Sequence, residues 1–327
     1  MSNEMNDVFL SVKDLTVEYV TMEETVQAVN HVSFTLRKGK TLGLVGETGA
    51  GKTTIASSIL RVLPEPPAKV RSGEILLDGQ DLMQLSEDEM CRVRGKRITM
   101  IFQDPMTALN PVMTVGRQIA EVIALHDNVS KAEAKARAEE MLELVGIPAA
   151  RYNEYPDQFS GGMRQRVVIA VALACNPDLL LADEPTTALD VTIQAQVLDL
   201  IRELNSQKKT SMILITHDLG VVAEMCDDVA VVYAGEIIEA GTLQDIFKHP
   251  THPYTLGLFG SIPRIDDDAE RLSPIAGLPP NPARLPEGCK FHPRCPHATE
   301  ACRCGEVDMF EVSPGHFCRC LRAQEGV

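Results

Sequence analysis

Residues 41–54 constrain this chain more than any other stretch. An apolar segment, Thr41-Leu42-Gly43-Leu44-Val45, runs directly into Gly46-Glu47-Thr48-Gly49-Ala50-Gly51-Lys52-Thr53-Thr54. The second part fits the pattern G-x-x-x-x-G-K-[ST], a phosphate-cradling loop between a strand and a helix. Glycines at these places let backbone N–H groups turn inward and line an anion site. A helix starting near Lys52 adds the positive end of its dipole. Lys52 is expected to reach the β- and γ-phosphates, and Thr53 to hold a magnesium ion. The ligand so implied is a nucleoside triphosphate, and the fold it requires is α/β.

A second segment suits the same chemistry. Leu179-Leu180-Leu181-Ala182 is an apolar strand that ends in Asp183-Glu184. An acid at the C-terminal edge of a parallel strand suits magnesium coordination, which is assigned to Asp183. Glu184, one residue on, is placed to polarise an attacking water. Upstream, Phe159-Ser160-Gly161-Gly162-Met163-Arg164-Gln165-Arg166 reads as a helix start, with Ser160 as N-cap and two glycines that allow close backbone approach. One triphosphate does not need two helix N-termini. The economical reading puts the two on different subunits, meeting across a shared nucleotide.

The remaining pattern is that of alternating strands and helices. Strands are expected over 10–19, 26–36, 73–79, 98–102, 179–182, 211–216 and 229–233, and helices over about 52–62 and 190–207. The stretch 114–145 is helix-rich, with Ala, Glu and Lys dominating 131–144. Such alternation implies a mainly parallel sheet, with a mostly helical subdomain at about 105–175 set into it. From His249 to Gly288 prolines are frequent and periodicity fades, which reads as a linker to a cysteine-rich tail.

With 327 residues the chain is long enough for one large domain or two smaller ones. Its net charge of −15 argues against a bulk nucleic-acid binder, which needs clustered Lys and Arg. The apolar run Val167–Cys175 is far shorter than the ~18–20 residues that span a bilayer. The start, residues 1–7, is acidic and polar and lacks a signal pattern. A cytosolic protein is expected, reaching a membrane only through partners.

The ordered set of motifs resembles the nucleotide-binding subunits of ABC transporters over about residues 8–260. Phe159 to Gln165 resembles that superfamily's signature loop, and Ala188-Leu189-Asp190 the loop that contacts the opposite subunit. Gln103 falls where the family has its metal- and lid-contacting glutamine. His217 stands where the switch histidine meets the γ-phosphate. Tyr19 precedes Gly46 by a spacing like that of the aromatic that stacks on adenine. The resemblance implies a P-loop core with an antiparallel β subdomain, a helical subdomain and a small extension. It assigns residues 8–255 to the ATP-binding domain and 256–327 to the extension. It also implies a head-to-tail dimer in which each ATP lies between one subunit's Gly46–Thr54 loop and the other's Ser160, Gly161 and Gly162.

Of the nine cysteines, Cys289, Cys295, Cys302, Cys304, Cys318 and Cys320 crowd the C-terminus. In a cytosolic chain such a cluster suggests metal more than disulfides. Four thiolates on a loop-rich segment suit a [4Fe–4S] cluster. Zinc is the competitor, with His292, His297 or His316 as further ligands. The ending Gly-Cys-x-Phe-x-x-Arg-Cys-Pro, together with His252-Pro253-Tyr254-Thr255, resembles the ATP-binding subunits of oligopeptide and dipeptide permeases. In that family the last cysteine follows a Gly-His pair, here Gly315-His316, so the resemblance selects Cys289, Cys295, Cys302 and Cys320. It implies ATP-driven import of peptides, with two membrane permease subunits, a second related ATPase subunit, an extracellular substrate-binding protein acting indirectly, and no nucleic acid. The chain would sit at the cytoplasmic face of the membrane. Nickel or another small solute as cargo, and a soluble ABC ATPase not tied to transport, are the rival readings.

Overall fold

The computed structural model describes residues 7–187, 189–260 and 275–324. Residues 1–6, Ala188, part of the proline-rich connection (261–274) and residues 325–327 lie outside them, as do the side chains of Pro105 and Met106.

In chain order the elements are β1 (Val8–Val20), β2 (Thr25–Arg37), β3 (Thr41–Val45), α1 (Lys52–Leu60), β4 (Ala68–Leu77), β5 (Gln80–Asp81), α2 (Glu87–Val93) and β6 (Ile98–Ile101). They continue with α3 (Pro105–Ala108), α4 (Val115–Asp127), α5 (Lys131–Leu144), α6 (Gly161–Leu173), β7 (Leu179–Asp183), α7 (Val191–Lys208), β8 (Ser211–Ile215) and α8 (Leu219–Met225). The last are β9 (Asp228–Tyr233), β10 (Glu236–Thr242), α9 (Leu243–Lys248), α10 (Pro253–Gly260), β11 (Phe310–Ser313), β12 (His316–Cys318) and α11 (Leu321–Gln324).

The chain divides into two compact units. One holds residues 37–41 and 82–215. In it β7 pairs in parallel with β6 on one side and β8 on the other. All residues of β6, β7 and β8 are buried. That is why they read as continuous apolar runs rather than alternating ones: strands covered on both faces need apolar side chains at every position. Helix α6 is buried along Val167–Ala170 and Ala172–Leu173, and α7 turns Val197, Leu198, Ile201 and Leu204 inward. The sequence reading missed α2, although its signal was present. Ser86 and Glu89 form a reciprocal capping box, the Ser-x-x-Glu pattern that opens a helix.

The other unit holds residues 8–36, 42–81 and 216–327. Its first sheet runs β2-β1-β4-β5, with β4 antiparallel to both β1 and β5. Its second runs β11-β12-β10-β9-β3. There β3 and β9 are parallel, while β9–β10, β10–β12 and β12–β11 are antiparallel. The sheet is therefore less uniformly parallel than the alternation of elements suggests, because the C-terminal tail returns and adds a hairpin to it. The expected linker also holds structure. Prolines and a short helix hide a buried anchor there: α10 places Tyr254 at zero exposure. Tyr254 packs against Tyr233 and Phe291, with ring centroids 4.6 and 5.4 Å away, and Tyr233 meets Phe291 edge-on at 5.3 Å. These rings join residues 233, 254 and 291 into one core. No helix of the described residues is long and apolar enough to cross a membrane.

Candidate nucleotide-binding site

The residues singled out from the sequence fall into two groups, one in each unit. In the unit that carries the phosphate loop, β3 delivers the chain into a turn forced by two glycines. Gly46 has φ 153°, and a Cβ there would lie 2.1 Å from the Val232 carbonyl oxygen. Gly51 has φ 104° and would place a Cβ 2.3 Å from the Ala28 carbonyl oxygen. No side chain fits at either place, so the loop backbone packs directly on neighbouring strands. Helix α1 then starts at Lys52 with no side-chain cap on its first N–H groups. A helix start without a side-chain cap suits an anion site.

The Lys52 ammonium is buried inside this loop and donates to the carbonyl oxygens of Gly46 (2.7 Å) and Glu47 (3.0 Å). Thr48, Gly49 and Thr53 are exposed, Ala50 is buried, and Thr54 is half-buried with its hydroxyl 3.3 Å from that of Tyr19. His217 is exposed, two residues past β8. The neighbouring Asp218 carboxylate caps α8, accepting from the Gly220 N–H.

In the other unit Asp183 is the last residue of β7, with 3% exposure. Glu184 follows in the left-handed region, φ 45°. Its Oε2 accepts from the Gln103 amide (2.9 Å) and the Thr187 hydroxyl (2.8 Å), so the carboxylate is fixed from two sides. The Ser160 hydroxyl caps α6 by accepting from the Met163 N–H, and Asp190 caps α7 by accepting from Ile193. Ser160 and Gly161 are exposed, and a Cβ on Gly162 would lie 2.5 Å from the Ile193 side chain. The glycine at 162 is thus set by packing against α7 as well as by any ligand. Gln165 is 1% exposed and donates to the Pro185 carbonyl, tying α6 to the loop after Glu184. Sequence reasoning gave Gln165 no role beyond the motif, since a lone buried amide has no spacing signal.

The cysteine-bearing tail forms a cavity walled by Cys289, Cys295, Cys302 and Cys320, with His292 and His297 beside them. Burial, and then the nearby thiols of Cys320, Cys302 and Cys295, pushes the Cys289 thiol up to about 11. Cys304 is exposed, and Cys318 is buried in β12, paired in register with Glu239; neither lines the cavity. His316 is also engaged elsewhere. Its Nε2 lies 2.8 Å from a Glu239 carboxylate oxygen, with 2% and 0% of the two side chains exposed. Histidine 316 therefore drops out as a ligand at the thiol cavity. Among the described residues no group of three or more His, Cys, Asp or Glu side chains is placed to hold a metal ion.

Comparison with known proteins agrees with these features. Residues 29–187 match the ABC transporter family, and residues 238–302 match the family described as the oligopeptide/dipeptide transporter C-terminal region. The chain is 54% identical over 311 residues to the oligopeptide transport ATP-binding protein OppD of Bacillus subtilis, covering 94% of this chain and 87% of that one. It is 55% identical to the dipeptide transport ATP-binding protein DppD of the same organism, over 90% and 88% of the two chains. It is 48% identical to OppD of Escherichia coli, over 99% and 96%. Among solved structures, the ATP-binding cassette MJ0796 in a dimeric post-hydrolysis state bound to ADP and Pi superposes with TM-score 0.65. That match has 29% identity and covers 72% of this chain and 98% of that one. CbiO1 from Clostridium perfringens, part of the cbiONQ ABC transporter complex, gives 0.63 at 26% identity, over 74% and 92% of the chains.

Proposed function

Because the chain belongs to the ATP-binding subunits of oligopeptide and dipeptide ABC transporters, we propose that it binds and hydrolyses ATP to drive peptide import through membrane permease subunits. The observation that carries the reading is the closely packed glycine loop around a buried Lys52, with α1 starting at its end. We read residues 8–255 as the ATP-binding domain, with its helical subdomain at about 105–175, and 256–327 as the extension.

In this reading Tyr19 stacks on the adenine. The backbone N–H groups of residues 46–54 hold the phosphates, and Lys52 neutralises them. Magnesium, when bound, would draw charge off the phosphates. Its ligands would come from Thr53, Gln103 and Asp183, an all-oxygen set suited to a hard cation. Glu184 accepts a proton from the attacking water, and His217 senses the γ-phosphate. Ser160, Gly161, Gly162 and Asp190 serve the nucleotide of a second subunit, a related but different chain. ATP then favours the closed pair because contacts to Ser160–Gly162 exist only there. The complex works at the cytoplasmic face of the membrane.

Co-expression with the apolar permease subunits and reconstitution into vesicles tests the reading. ATP-dependent peptide uptake that stops when EDTA removes magnesium is the expected result. Uptake of nickel but not peptides would transfer the same ATPase to another cargo.

We propose that Cys289, Cys295, Cys302 and Cys320, which wall one cavity, hold a [4Fe–4S] cluster, with zinc as the alternative. Anaerobic purification should yield about four irons and four sulfides per chain, with broad visible absorption. One zinc per chain and no iron would reverse that assignment. The Cys320→Ala variant should lose the iron, whereas Cys318→Ala should keep it.

A further inference from the structure

The phosphate loop contains a carboxylate, and the cysteine-bearing extension supplies the cation that covers it. Glu47 is the second residue of the loop. Its two carboxylate oxygens accept from the two terminal nitrogens of Arg294, at 3.0 and 2.7 Å. Arg294 belongs to the turn between Cys289 and Cys295, two residues that line the thiol cavity. Its guanidinium is 5% exposed and also donates to the Tyr233 hydroxyl (3.3 Å) and, through Nε, to the Ala276 carbonyl (3.0 Å). The loop backbone is held as well, by a residue just before the extension: the Glu47 N–H donates to the Tyr254 hydroxyl at 2.9 Å. Tyr254 in turn packs against Phe291, three residues before Arg294.

A lone carboxylate inside an anion-binding loop opposes the ligand the loop is built for. A planar guanidinium held bidentate against it cancels the charge and fixes its direction. We propose that Arg294 is a positioning residue of the nucleotide site: by covering Glu47 it makes the phosphate loop fit for a polyphosphate, so that loop affinity depends on the docked extension. The inference rests on the nucleotide-binding reading above and adds that the extension belongs to the phosphate site. It also gives the thiol cavity a route to that site, because Cys295 adjoins Arg294 in the same turn.

The test is MgADP affinity of the purified full chain by calorimetric titration, with ATP KM and kcat measured beside it. Arg294→Gln should weaken MgADP binding about tenfold, the effect of one uncovered charge near the phosphates. It should raise KM more than it lowers kcat. The double variant Glu47→Gln/Arg294→Gln removes the carboxylate as well and should return affinity to within about threefold of wild type. A purely structural arginine would show no such recovery. Wild-type affinity in Arg294→Gln, or a double variant no tighter than Arg294→Gln, would overturn the proposal. Should Arg294→Gln not fold, Glu47→Gln alone carries the test: affinity equal to or above wild type supports the proposal, and a tenfold loss overturns it. A wild-type chain that binds no MgADP would instead remove the nucleotide reading itself.

Discussion

Replacing Glu184 with Gln should slow ATP turnover by about 10²–10⁴-fold, the range for loss of a positioned general base, while leaving ATP binding intact. The contrast with Lys52→Ala gives the result its meaning. Lys52 is buried among the loop carbonyls, and its removal takes charge-assisted hydrogen bonds from the phosphates. Binding should fall about a hundredfold or more, and turnover with it. The Glu184 amide variant keeps its shape. Gln103 and Thr187 donate to Oε2 in the native chain, and an amide oxygen at the same place still accepts from both. What the amide lacks is a lone pair basic enough to take a proton from water. ATP should accumulate uncleaved and hold the paired subunits closed, seen as an ATP-dependent dimer on a sizing column. Unchanged turnover in Glu184→Gln would assign the water to another group, and normal turnover in Lys52→Ala would remove the phosphate-loop assignment.

What the sequence made legible follows from the range of each signal. The phosphate loop was readable because its chemistry is local: the strand, turn and helix start that it needs are consecutive, and Gly46 and Gly51 can be nothing else. The acid at the end of β7 was readable for the same reason. The covered core strands were legible as apolar runs. The tail was readable as chemistry but not as structure. Its four cavity cysteines could be selected by resemblance, but nothing in their spacing says that β12 joins β10 or that Arg294 reaches Glu47, 247 residues away in sequence. The linker reading failed at α10 because proline frequency is a local statistic, whereas the burial of Tyr254 depends on Tyr233 and Phe291. The pairing of Glu239 with His316 gives no signal, and His316 reads instead as a motif residue and a candidate ligand. A lone acid in one strand and a lone histidine in another have no shared motif, yet their side chains meet fully buried.

That pair carries the second large expected effect. Glu239 lies in β10 opposite Cys318 of β12. Besides the His316 ring, its carboxylate accepts from the backbone N–H groups of Thr251 (2.7 Å) and His252 (3.0 Å). Burial by itself would push this carboxyl up. The hydrogen bonds from His316 and from those backbone groups outweigh it, and the net shift is below the ordinary 4.5. Glu239→Gln leaves two backbone donors and a histidine around a neutral amide with one accepting oxygen. Hydrogen bonds to a buried charge contribute about 1.5–3 kcal/mol, and the variant should melt correspondingly earlier. The pH dependence has a fixed sign. A carboxyl whose folded pKa is depressed contributes its stability above about 4.5, its unfolded value, and loses that contribution as pH falls through the folded value. The stability difference between wild type and Glu239→Gln should therefore be largest above pH 4.5 and shrink on acidification below it. A difference that stays constant from pH 7 to pH 3 would show that the charge is immaterial and only the packing counts. Because β10 holds β12, and β12 leads directly to Cys320, the same substitution should loosen the thiol cavity. Iron retention at the proposed cluster should fall in Glu239→Gln even at temperatures where circular dichroism shows the rest of the chain still folded, which separates detachment of the hairpin from global unfolding.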